Sequence, residues 1–241
     1  MNLLDAVLAF VAFFAGVLKS GFGIGAGIFL TPVLALVMDP KEAVVVVAPM
    51  MLFTDVTAVY QYWRRWNGRD VVTLALPCLI GAVAGAFLLK GFTPATARKA
   101  IGIIGLLYVG SELSRKFLFR STGSTSLVKG AIIGIVGGVT SALANSGGVF
   151  ISTYFAGRLS KLYFVGTLVV VFLALNITKV GMFTGFGMLN SRLWTIELYL
   201  LPLMFLGGLT GKWLNNRIHE TQFAKLIFVL ILGACVKLLF F

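Results

Sequence analysis

The sequence predicts an all-α polytopic membrane protein made of two inverted repeats, each a broken, re-entrant helix hairpin followed by three transmembrane helices. Three observations carry this. Of 241 residues, 59% are hydrophobic and only 12% charged, far more apolar surface than a soluble core of this size needs. The apolar residues fall into eight runs separated by short polar connections. Two of the runs, the first in each half, are too long for one crossing and are interrupted by glycine and polar residues.

The first run, residues 3 to 38, would make a helix of roughly 54 Å against ~30 Å of hydrocarbon. It is interrupted by KSGFGIGAGIFLTP (residues 19 to 32), with glycine at positions 21, 23, 25 and 27. Its leading stretch, MNLLDAVLAFVAFFAGV, lacks a basic region and carries Asp5, so it reads as a membrane segment and not as a cleaved signal. Runs 43 to 63, 71 to 89 and 94 to 114 each suit one crossing. The polar linker RKFLFRSTGSTSLVK (115 to 129) follows. Run 128 to 157 is again too long, roughly 45 Å as one helix, and is broken at TSALANSGGVFIST. Runs 162 to 185, 193 to 214 and 222 to 241 suit single crossings.

A shift of 121 positions places Gly16 on Gly137, Ser20 on Ser141, Gly27 on Gly148, Phe29 on Phe150 and Asp55 on Asn176. A shift of 126 places Gly81 on Gly207, Gly85 on Gly211 and Lys99 on Lys225. Matched leucines are cheap in such a chain, but matched glycines and polar residues are not. Residues 1 to 120 and 121 to 241 are therefore read as two repeats that together form one membrane domain. Lysine and arginine collect on the cytoplasmic side, and they orient the repeats. If each broken run crosses once, the charges divide evenly between the two sides. If each returns to its own side, twelve fall on the side of the 115 to 129 linker and five on the other. The second count favours hairpins. With three crossings per half the repeats are then inverted, a plan in which broken helices meet near the midplane.

Composition also excludes classes. The 20 Lys and Arg against 8 Asp and Glu lie mostly in connections, which is membrane topology and no nucleic-acid footprint. One histidine and two cysteines, Cys78 and Cys235, leave no metal site of ordinary composition and no catalytic constellation, and no cofactor is implied. Glycines 81, 85, 207 and 211 have the small-xxx-small spacing of helix packing. Glu112 and Glu197, near run ends, read as interfacial.

Non-helical backbone at membrane depth must be buried or line a wet cavity, so the two breaks are candidate site segments. The helices restarting after them offer unpaired amides and positive dipole ends to an anion, from Gly25 to Ile28, Gly27 among them, in the first break and from Ser146 to Val149, with Gly147 and Gly148, in the second, where Asn145 adds a neutral hydrogen-bonding side chain. Charged residues inside apolar runs are functional candidates by default. Lys19 stands at the first break. Lys179 lies deep in run 162 to 185, one turn from Asn176 on the same face. Asp55, the repeat partner of Asn176, is the acidic residue best placed to exchange a coupling proton. Ser20, Thr31, Thr140 and Ser141 add neutral hydrogen-bonding groups. The bland alternative is that Asp55 and one lysine form a buried pair that orients helices. Against it, two lysines for one carboxylate leave a positive surplus for an anion to balance.

The segments FAGVLKSGFGIGAGIFLTPVLAL, LFTDVTAVYQYWRRWNGRD, GIVGGVTSALANSGGVFISTYF and GGLTGKWL resemble the sulfite exporter TauE/SafE family over nearly the whole chain. The resemblance implies a multi-pass permease of a prokaryotic inner membrane that exports sulfur-containing anions such as sulfite and small organosulfonates. The first break carries Ala26 where family members often have another glycine. The expected partners are a small anion, the lipid bilayer and, open to test, a second copy of the chain. An anion channel using the same breaks as its filter is the alternative.

Overall fold

The computed structural model describes residues 3–22, 26–118, 127–155, 159–215, 217 and 220–240, and among these residues all regular secondary structure is helical. Ten helices follow in order: α1 Leu3–Phe22, α2 Ala26–Ala35, α3 Pro40–Gln61, α4 Gly68–Gly91, α5 Pro94–Leu118, α6 Leu127–Ala144, α7 Gly148–Phe155, α8 Lys161–Gly185, α9 Ser191–Asn215 and α10 Glu220–Phe240. Local chemistry sets several starts. Asp39 accepts hydrogen bonds from the amides of Lys41 (2.8 Å) and Glu42 (3.2 Å), with Pro40 in the first turn of α3, which satisfies two otherwise orphaned donors. Asn67 does the same for Arg69 and Asp70 at the start of α4.

Among the described residues, six helices are long and apolar enough to cross a membrane: α1, α3, α4, α6, α8 and α9. They make the chain a multi-pass membrane protein. The sequence expectation gave no full crossing to the arms of the broken runs, whereas α1 and α6, the first arms, are each of membrane length. Each break comes late, so the first arm is already a full helix, Leu3–Ser20 or Leu127–Ala144, while the second arm is short. The helices of runs 94 to 114 and 222 to 241 are α5, 25 residues with Arg98 and Lys99 near its start, and α10, 21 residues.

The helices pack across the two halves of the chain. α4 lies against α6 and α1 against α9. A Cβ on Gly81 would collide with the carbonyl of Ile135, and one on Gly85 would lie 3.0 Å from the Val139 Cα, so α4 and α6 run in the same direction. Gly207 and Gly211 stand in the same way against Phe13 and Val17, so α1 and α9 are also parallel. The packing glycines read from the sequence thus bring backbone against backbone. In contrast, Gly102 faces Leu239 and Gly105 faces Cys235, which makes α5 and α10 antiparallel. α7 folds back along α6, with Ile151 against Gly137 and Tyr154 against Gly130. The larger apolar core joins α1, α2 and α3 to α5, α9 and α10, and a smaller one joins α4, α7 and α8. Large apolar side chains such as Leu76, Ile80, Phe87, Phe205, Leu209 and Val229 face outward, as a lipid-facing surface requires. Cys78 and Cys235 are both free and buried.

Candidate functional site

The second break begins where Asn145 adopts a left-handed conformation (φ 53°), which asparagine tolerates better than most residues. Its amide closes the last turn of α6 on Ser141 O (2.9 Å), and the Ser146 amide and hydroxyl both donate to Thr140 O (3.4 and 3.1 Å). The chain then restarts as α7 at Gly148. In the first half α1 ends at Phe22 and α2 begins at Ala26, and residues 23–25 lie outside the described residues.

The two breaks touch. A methyl on Gly27 would lie 2.7 Å from the Cβ of Asn145 and would collide with its carbonyl oxygen. The absence of a side chain at Gly27 therefore lets one backbone rest on the other. Across this contact the Asn145 amide donates to Thr31 Oγ1 (3.1 Å) and Val44 O (3.0 Å), while Asn145 Oδ1 accepts from Lys179 Nζ (2.6 Å). Lys179 also reaches Ser141 O at 3.3 Å. One asparagine side chain thus ties α2, α3, α6 and α8 together.

A second cluster lies beside it. Asp55 and Asn176 each stand fifteen residues past the start of their helix, on α3 and α8, which pack against each other. Asn176 Nδ2 donates to Asp55 Oδ2 (2.5 Å), and Lys19 forms an ion pair with Asp55 Oδ1 while lying 5.0 Å from the centre of the Phe172 ring. Asp55 is fully buried, Lys19 is 8% exposed and Lys179 1%. Charge bookkeeping is then simple. Lys19 pairs with Asp55, whereas Lys179 donates to neutral oxygens, so among the described residues the cluster holds two lysines for one carboxylate.

These groups surround a cavity of about 40 Å³ lined by Lys19, Gly27, Ile28, Asn145, Ser146, Gly147, Gly148, Asn176 and Lys179, together with Ala26, Met51, Ser141, Val149 and Phe172. Such a space holds two or three waters or one compact ion. Three sequence candidates fall elsewhere. Thr31 is fully buried behind Asn145 and Asp55 behind the two groups it binds, so both position cavity residues without lining it. Ser20 lines a separate groove between α1, α3 and α9, because it is one residue, about 100° of helix, from Lys19. Gly25 lies outside the described residues. Met51 and Phe172 line the cavity unforeseen, since an apolar residue in an apolar run gives no signal. Glu197, expected at the interface, is instead fully buried.

Neither the curated proteins nor the solved structures compared with the chain give a match. The family described as sulfite exporter TauE/SafE matches residues 8–238, a span that contains both breaks, the Asp55 cluster and all the membrane-length helices but the first residues of α1. The chain belongs to the sulfite exporter TauE/SafE family.

Proposed function

We propose that the chain is a secondary active transporter, working as an exporter, that moves a small sulfur-containing anion such as sulfite or an organosulfonate through the cavity between the two breaks. The observation that carries this reading is Lys179, a buried amino group that donates to the neutral oxygens Asn145 Oδ1 and Ser141 O at the wall of that cavity. An uncompensated buried charge is costly, and an arriving anion relieves that cost. The first turns of α2 and α7 open onto the same space through Ala26, Gly27, Ile28, Gly148 and Val149, which aims the positive ends of two helices at it. The volume favours a compact oxyanion over a bulky solute.

Alternating access by inverted repeats is the mechanism we read. It is supported by α5 and α10, equivalent under the repeat and antiparallel where they touch, and by the exchange of partners in which α1 packs on α9 as α6 packs on α4. Asp55 supplies a coupling device. Protonating it would leave Lys19 buried without a counter-charge, so the proton is accepted only while the anion's charge is present in the adjoining cavity. In this reading the protein sits in a prokaryotic inner membrane, as its family implies.

Counterflow tests the carrier. Liposomes preloaded with unlabelled sulfite should transiently concentrate labelled sulfite from outside, and simple equilibration without overshoot would point to a channel. In the same liposomes Asp55→Asn should lose its response to a pH gradient; full retention removes Asp55 from the coupling.

A further inference from the structure

The α9 helix carries a carboxylate that the anion site does not use. Glu197 lies on the stripe Leu193, Glu197, Leu200 and Met204, spaced four, three and four residues apart on the face that packs into the core. It is 0% exposed, and neither carboxylate oxygen has a hydrogen-bond partner among the described residues. α9 packs on α1 and α3. The titratable groups of those helices are Asp5 and Lys19 on α1 and Lys41, Glu42, Asp55 and Tyr60 on α3. Lys19 is engaged with Asp55, Lys41 with the carbonyls of Lys90 and Phe92, and Asp5 and Tyr60 are exposed. On α9 itself Arg192 and Lys212 are exposed.

An ionised carboxylate without a partner at membrane depth costs several kcal/mol, so a cation must accompany it. Among the described residues no group of three or more His, Cys, Asp or Glu could hold a metal ion, and the cation that suits a lone carboxyl is a proton. A route for it is present. The groove of about 650 Å³ between α1, α3 and α9, with Ser20, Thr57, Gln61 and Lys212 in its lining, extends along α9 to Leu201, one helical turn from Glu197.

We propose that Glu197 is a proton-binding site of the transport cycle, holding a proton while α9 is packed on α1 and releasing it to water when that groove deepens by one turn. This rests on the transport reading above and adds a second carboxyl to it, on a helix remote from the anion.

The test uses the full-length protein in liposomes with the membrane potential clamped and labelled sulfoacetate as the probe. Each proton carried per anion changes the steady-state accumulation ratio about tenfold per pH unit of gradient. Glu197→Gln should lower the ratio by about tenfold at a one-unit gradient, while exchange without a gradient stays within about twofold of wild type. Glu197→Leu, which completes the apolar stripe, should do the same and serves if the glutamine variant does not fold. An unchanged ratio overturns the proposal, as does a wild type that exchanges sulfoacetate but never accumulates it. If no variant moves any anion, the transport reading fails instead. Infrared difference spectroscopy then judges Glu197 alone: a protonated-carboxyl carbonyl band present in wild type and lost in both variants supports it, and its absence in wild type overturns it.

Discussion

Replacing Lys179 by methionine tests the charge balance of the site. The cluster sums to one positive charge, from Lys19 and Lys179 against Asp55, and methionine keeps the length of the stem while removing that excess. A hydrogen bond from a charged group contributes about 2–3 kcal/mol, so the anion should bind about 30- to 150-fold more weakly. The assay is thermal unfolding of purified protein titrated with sulfite. At a sulfite concentration about 100 times the wild-type Kd, the ligand stabilises wild type by about 2.7 kcal/mol, and a 100-fold weaker variant by only ~0.4 kcal/mol. Without sulfite the variant loses a costly buried charge but also leaves Asn145 Oδ1 without its donor, so its melting temperature should stay within roughly 5 °C of wild type. The double variant Lys19→Met/Asp55→Asn removes one charge of each sign and should bind within about tenfold of wild type, since the net charge is unchanged. Binding by Lys179→Met within about threefold of wild type, or equal losses in the single and double variants, would refute the reasoning.

Two further substitutions probe the contact between the breaks. Gly27→Ala pushes a methyl into the Asn145 backbone and should cost about 1–3 kcal/mol, a fall in Tm of roughly 2–10 °C; an unchanged melting curve means that the breaks do not rest on each other. Asn145→Asp gives Lys179 an ionic partner in place of the amide oxygen now 2.6 Å away. Sulfite titration should then show a loss comparable to that of Lys179→Met, whereas wild-type affinity would show that Lys179 is not the group the anion needs.

How much could be read beforehand follows from signal against background. In a chain of leucine, valine and phenylalanine, a lysine or asparagine in mid-run stands out, and so do clustered glycines, because lipid tolerates them only for a reason. Lys179, Asn176, Asp55 and the break at Asn145 were legible for that cause, and the 121-residue offset that pairs Asp55 with Asn176 is the separation of two side chains that bond. Rotation about a helix axis was not legible. Lys19 and Ser20 are neighbours in sequence, yet one faces the central cavity and the other a different groove. Burial by a distant helix was equally hidden: Glu197 stands near the start of α9 and looks interfacial until α1 and α3 are packed on that helix. Hydropathy also left hidden that the first arm of each broken run is long enough to cross by itself.

The glycine seams between α1 and α9 and between α4 and α6 bear on how the protein is made. Each seam joins a helix of one half to a helix of the other, so neither half can complete its packing alone. On a ribosome adding about 5–20 residues per second, α1 leaves the exit tunnel on the order of 10–40 s before α9 is there to receive it. During that interval the backbone face of α1 around Gly16 is bare to lipid or to whatever escorts nascent membrane helices. Two halves expressed from separate genes should reassemble only if both are present in the membrane together, each finishing the other.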